Sequence, residues 1–179
     1  MLLIRRALRR AQRRYLPLVR PGRVSEAMRD FWGVGQRGVV QIVLRQALPR
    51  WPISATLIEA AGELADLRAG AAAGLAAGVP VGLIRPFEEE IAEASEAVWR
   101  IADRVTAAAA QRVDERLLAP ALDLEAEKLT TLVLAIRQAR EGLAHVTLCS
   151  PATRQVEQVA RRLRALDEAT KAVAILPGS

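Results

Sequence analysis

The feature that most restricts how this chain can fold is an apolar stripe at Phe87, Ile91, Ala94, Val98, Ile101, Val105 and Ala108. Its steps alternate between four and three residues, the spacing of a helix that packs along one side on other helices. Pro86 suits the first helical position. Glu88, Glu89 and Glu90 would then fill the opening turn, where the positive end of the helix dipole favours carboxylates. Continued to Leu118, such a helix would be about 48 Å long at about 1.5 Å per residue. Pro120 is expected to break it.

The same rhythm returns twice. Leu122, Leu129, Leu132, Ile136, Ala139, Leu143 and Val146 form one further stripe. Val156, Val159, Leu163, Leu166, Thr170 and Val173 form another, behind Ser150-Pro151, a cap followed by a proline suited to the first helical position. Three long helices with short links predict an all-α protein built on a long antiparallel helical bundle over residues 86–179. Composition agrees: 51% of residues are apolar, only 3% are aromatic, and Ala, Leu, Arg and Glu dominate, with little of the β-branched and aromatic enrichment that strands want.

Residues 24–85 read as shorter apolar helices and a Gly-rich segment. Ser25 suits the cap of a helix through Trp32. Val39 to Leu48 reads as a helix, although Val39-Val40 and Ile42-Val43-Leu44 suit a buried strand equally well. Ser54 is expected to cap a helix carrying Leu57, Ile58, Ala61, Leu64 and Leu67. Gly70, Gly74, Gly78 and Gly82 follow at intervals of four. On one continuous helix they would line a row of bare backbone against which another helix could pack closely. Each such glycine costs up to about 1 kcal/mol of helix propensity against Ala, so close packing is expected in return. Pro80 should kink or end that helix near Val79. The 16 uncharged residues between Arg68 and Arg85 fall short of the roughly 20 that a membrane span needs. A buried helix or a hairpin corner is the reading, with membrane insertion as the alternative.

Residues 1–23 are a basic amphipathic arm. Arg5, Arg9 and Arg13 form one row and Arg6, Arg10 and Arg14 the adjacent one, with Ile4, Ala7, Leu8, Ala11 and Tyr15 opposite. No carboxylate precedes Glu26, so six cations repel one another unless an anionic partner lies nearby. Residues 1–50 carry 12 Arg against Glu26 and Asp30, while residues 51–179 carry 14 basic against 18 acidic side chains. The polyanion-binding character therefore belongs to one end of the chain. A bland reading also exists, in which the arginines are a solvated face over a packed Leu/Ala side.

Catalytic chemistry is scarce. With one His and one Cys, the usual metal clusters cannot be built, and neither a phosphate-binding loop nor a dinucleotide fingerprint occurs. Glu141, His145 and Cys149 stand four apart and could align on one helix face, yet nothing beside them suggests an oxyanion hole. Trp32, Trp51 and Trp99 read as packing anchors. No catalytic residue, metal or cofactor is expected. Cys149 is alone, which suits a reducing compartment. The start lacks the apolar core of a secretory leader, although its Arg-rich, acid-free character is shared by mitochondrial transit segments. The expected protein is a non-enzymatic structural or adaptor subunit of a larger assembly, such as a virion. It would act in the cytoplasm or within an assembled particle and associate with itself or neighbouring subunits. Its arm would meet nucleic acid or, in the alternative reading, an anionic membrane surface.

Overall fold

The computed structural model describes residues 20–32 and 36–148. These form five α-helices that pack on one another: α1 (Val24–Trp32), α2 (Arg37–Ala47), α3 (Pro52–Ala76), α4 (Val81–Ala110) and α5 (Glu115–Leu148). No strand occurs among the described residues, so the ambiguous stretch at Val39–Leu48 is helical. Residues 1–19 of the arm, residues 33–35 and the segment after Leu148 lie outside the described residues.

The pivot is α3 rather than the helix at 86–118. Residues 60–65 of α3 are buried on every side, and α2, α4 and α5 all pack against this helix. α5 makes its main contact with α3 and only a slight one with α4. The stripes of α4 and α5 do face the interior: Ile91, Val98, Ile101 and Val105 are buried, as are Leu129, Ile136 and Leu143. A single apolar cluster runs from Val24 to Leu143 and includes the fully buried Trp99. Trp51, half-buried, is the residue that caps α3.

Helix ends differ from the sequence expectation in instructive ways. α4 begins at Val81, not Pro86, and stops at Ala110, short of Leu118. Pro86 and Pro120 both sit at the sixth residue of their helices and are solvent-exposed. Each removes a single hydrogen bond next to the first turn, where water can satisfy the orphaned carbonyl; this is less disruptive than a proline in mid-helix. Glu88, Glu89 and Glu90 consequently fall beyond the first turn of α4 and are exposed. Ser54 is not the cap of α3: Trp51 takes that place with Pro52 behind it, and the Ser54 hydroxyl is buried without a hydrogen-bond partner. Ser25 lies inside α1, and its backbone N–H donates to Asp103 of α4 at 3.0 Å. The N–H of Gly22 likewise donates to Thr106 Oγ1 at 2.9 Å, so α4 supplies the cap that α1 lacks.

α3 and α4 end in the same way. At the end of α3, Val79 N–H bonds Gly74 O and Gly78 N–H bonds Leu75 O, with Gly78 at φ 82°. At the end of α4, Val113 N–H bonds Ala108 O and Arg112 N–H bonds Ala109 O, with Arg112 at φ 56°. These are paired Schellman closures, one built on glycine and one on arginine. A left-handed conformation costs a non-glycine residue about 1 kcal/mol or more. Arg112→Gly should therefore raise stability by about 0.5 kcal/mol after glycine's extra unfolded-state entropy is set against it. Gly78→Ala should lower it by about 1 kcal/mol. Urea melts of the two variants, moving in opposite directions, check this.

Candidate functional site

The most concentrated chemistry lies where α2 and α5 meet the middle of α3. Glu63 sits among the enclosed residues of α3, with its side chain only 4% exposed. Gly62 beside it allows α2 to come close: a Cβ there would stand 2.6 Å from Gln41 Nε2 and 3.3 Å from Arg37 Cγ. Arg37, at the start of α2, donates to Glu63 at 3.2 Å and to Asp66 at 2.6 Å. From α5, Arg140 donates to Glu63 Oε2 at 2.5 Å and stands 3.4 Å from Asp66. Arg137 donates to Glu59 at 2.5 Å and to Glu63 Oε1 at 3.3 Å.

Three guanidinium groups thus face three carboxylates, and their formal charges cancel. Burial pushes the Glu63 carboxyl up. The hydrogen bond from Arg140, the charge of Arg37 and the bonds from Arg37 and Arg137 outweigh it, and the group is held below the usual carboxylate range. Arg37 is pushed up, chiefly by its hydrogen bond to Asp66. A carboxylate kept ionised, with both oxygens occupied, is a poor general acid or base. The arrangement serves as a clamp that fastens α2 and α5 to α3. A second fastening joins α1 to α4, where Arg29 donates to both oxygens of Glu96 at 2.6 and 2.9 Å.

Beside the clamp, a groove of about 680 Å³ runs between α3 and α5. Gly70, Ala73 and Ala144 line its upper half; Asp66, Arg137, Arg140 and Glu141 line its lower half. Of the glycines at intervals of four, only two meet other side chains. A Cβ on Gly70 would come 3.2 Å from Leu143, and one on Gly74 3.1 Å from Ile84 and 3.2 Å from Thr147. Gly78 forms the α3 terminus, and Gly82 belongs to α4 with open space around it. The single row expected of Gly70, Gly74, Gly78 and Gly82 is therefore broken, because the chain turns at Gly78.

Arg5, Arg6, Arg9, Arg10, Arg13 and Arg14 lie outside the described residues, as does Cys149. Glu141 and His145 are on an exposed face of α5. Among the described residues no group of three His, Cys, Asp or Glu side chains could hold a metal ion, and no helix is long and apolar enough to cross a membrane. The clamp escaped the sequence reading. Its signal was Glu59, Glu63 and Asp66 at one helical spacing in an otherwise apolar stretch, with Arg137 and Arg140 three apart. No family model, no characterised protein and no solved structure matches the chain.

Removing the central carboxylate should loosen the clamp. Loss of one partner from a buried pair costs about 3–5 kcal/mol. The three arginines here are 37–46% exposed and can rehydrate, so Glu63→Gln is expected to cost less, about 1–3 kcal/mol in urea unfolding. Acid should act on the same group. A folded-state pKa below the unfolded value near 4.3 gives stability that is complete above about pH 4.3 and is lost as pH falls through the lower value. Glu96, held down by its hydrogen bond from Arg29, adds a contribution of the same sign. Glu63→Gln should therefore flatten, without abolishing, the fall in stability below pH 4.3, measured by urea melts at stepped pH.

Proposed function

We propose that this protein is a non-enzymatic structural or adaptor subunit of a larger assembly, such as a virion. In this reading the helical body supplies a rigid docking surface for like or unlike subunits, and the Arg-rich N-terminal helix grips a polyanion such as nucleic acid. The stripe at Val156, Val159, Leu163, Leu166, Thr170 and Val173 would then belong to the third long helix of an antiparallel bundle over residues 86–179. The setting would be the cytoplasm or an assembled particle.

The observation that supports this reading is the separation of charge. Residues 20–148 contain 15 basic against 17 acidic side chains, and Arg29, Arg37, Arg137 and Arg140 are engaged with carboxylates. Residues 1–19 contain six arginines and no acid. The body is close to neutral and engages several of its charges in ion pairs, whereas the arm's cations have no acidic neighbour along the chain. A polyanion is the partner that six clustered arginines suit.

Salt-titrated binding to duplex DNA tests it. Each phosphate contact contributes about −0.9 to the slope of log affinity against log salt, so six contacts should give a slope near −5. Replacing Arg5, Arg6, Arg9, Arg10, Arg13 and Arg14 with Gln should bring the slope toward zero while the helical circular-dichroism signal persists. An arm that lies on lipid instead would bind anionic liposomes and lose that binding on Ile4→Asp or Leu8→Asp, since burial of its apolar face would contribute too. If neither DNA, RNA nor liposomes bind at low salt, the polyanion reading fails, and the arm is left as a docking element for carboxylates on a neighbouring subunit.

A further inference from the structure

The groove between α3 and α5 has two helical walls and an open side along which a third helix could lie. One wall is Asp66, Gly70 and Ala73 on α3; the other is Arg137, Glu141, Ala144 and Leu148 on α5. Both walls follow the four-three spacing of residues that face a packed neighbour. The two helices run in the same direction along it: Glu63 meets Arg137 and Arg140, Gly70 meets Leu143, and Gly74 meets Thr147. Small residues at the upper end leave backbone accessible to close approach, and the exposed face of α3 there is Ala69, Ala72, Ala73 and Ala76 without a charge. An uncharged Ala face is an unusual solvent boundary for a helix whose lower half carries Glu59, Glu63 and Asp66.

We infer that the occupant of this groove is the chain's own segment 151–176, laid back along α3 and α5 in the direction opposite to α5. The position where the described chain stops supports it. The described part of α5 reaches Leu148, a groove-lining residue that is 69% exposed, and 31 residues follow. Ser150-Pro151 allows a link of only a few residues, which favours a neighbouring, reversed helix. The stripe at Val156, Val159, Leu163 and Leu166 supplies an apolar edge with the spacing of the two walls. Lengths match as well: from Leu148 back to Arg137 is about 17 Å at 1.5 Å per residue, the span of residues 151–162 as a helix. Running back from Ser150, Val156 falls at the level of the Gly/Ala half. Glu157, Arg161 and Arg162 fall at the level of the half lined by Arg137, Arg140, Glu141 and Asp66. This inference rests on the helical reading of 151–176 given above and is independent of any polyanion.

Cysteine cross-linking in the full chain tests it, in a Cys149→Ser background that removes the native thiol. Ala73→Cys or Ala144→Cys would be paired in turn with Ala152→Cys, Val156→Cys and Val159→Cys, since a disulfide forms only when the Cα atoms approach within about 7 Å. The expected result is at least one pair that closes under mild oxidation within one molecule. It would be read as a faster-migrating monomer on a non-reducing gel, unchanged over a hundredfold range of protein concentration. Leu134→Cys, exposed and outside the groove, should not close with the same partners. Cross-links that appear only between molecules, and grow with concentration, would overturn the inference in favour of a second copy in the groove. Absence of any cross-link in variants that retain the helical signal would also overturn it. Neither result would touch the salt slope of DNA binding, so failure here and failure of the polyanion reading are distinguishable.

Discussion

The architecture depends on one costly placement: an ionised carboxylate in a stretch of α3, residues 60–65, that is otherwise buried Ala, Gly and Leu. An isolated charge in that position would be expelled or neutralised. Glu63 remains charged because guanidinium groups arrive from two directions, Arg37 from α2 and Arg137 with Arg140 from α5. The need to satisfy Glu63 thereby sets the height at which α2 and α5 cross α3. Apolar burial on its own is non-directional and would tolerate sliding of one smooth helix along another. A buried charge with fixed partners does not, and the register of α3 against α5 follows from it.

Packing then follows from residue size. Six consecutive buried residues are unusual on one helix because a helix ordinarily shows solvent on one side. α3 manages it with small side chains: Ala60, Ala61, Gly62 and Ala65 sit around Glu63 and Leu64. Gly62 admits α2, while Gly70 and Gly74 admit α5 and the start of α4. The glycines that read as a single ladder therefore serve two neighbours, α5 and α4, and one turn, while Gly82 meets neither. Large apolar residues of α4 lie opposite the small ones: Ile84 stands against Gly74, and the fully buried Trp99 lies near Ala71.

The sequence carried the helical class and the inward faces of α4 and α5, because spacing of apolar residues at three and four steps directly encodes a packed side. It misled where a local rule has two outcomes. Pro86 and Pro120 were read as boundaries, yet a proline one turn inside a helix costs little when the orphaned carbonyl faces water. The boundary at Arg112 carried no glycine and was invisible for that reason. The pivot is hard to see because α3 lacks a strong stripe: residues 60–65 are buried on every side, and its exposed face beyond them is Ala, so the faces show little contrast. Ionic partners 74 and 77 residues apart, such as Arg137 and Arg140 with Glu63, leave no mark in local spacing. For the arm only the sequence speaks: its arginine rows are plain there, at spacings of one and four residues.

That long separation has a consequence for the order in which the clamp is assembled. During synthesis the chain emerges from its N-terminal end. Glu63 is then available long before Arg137 and Arg140 have been made, while Arg37, only 26 residues earlier, already exists. Until α5 has been made, Arg37 on α2 is the one cation of the clamp that the chain can offer Glu63. α2 is thus more than a cover for one side of α3: it carries the clamp's only early cation.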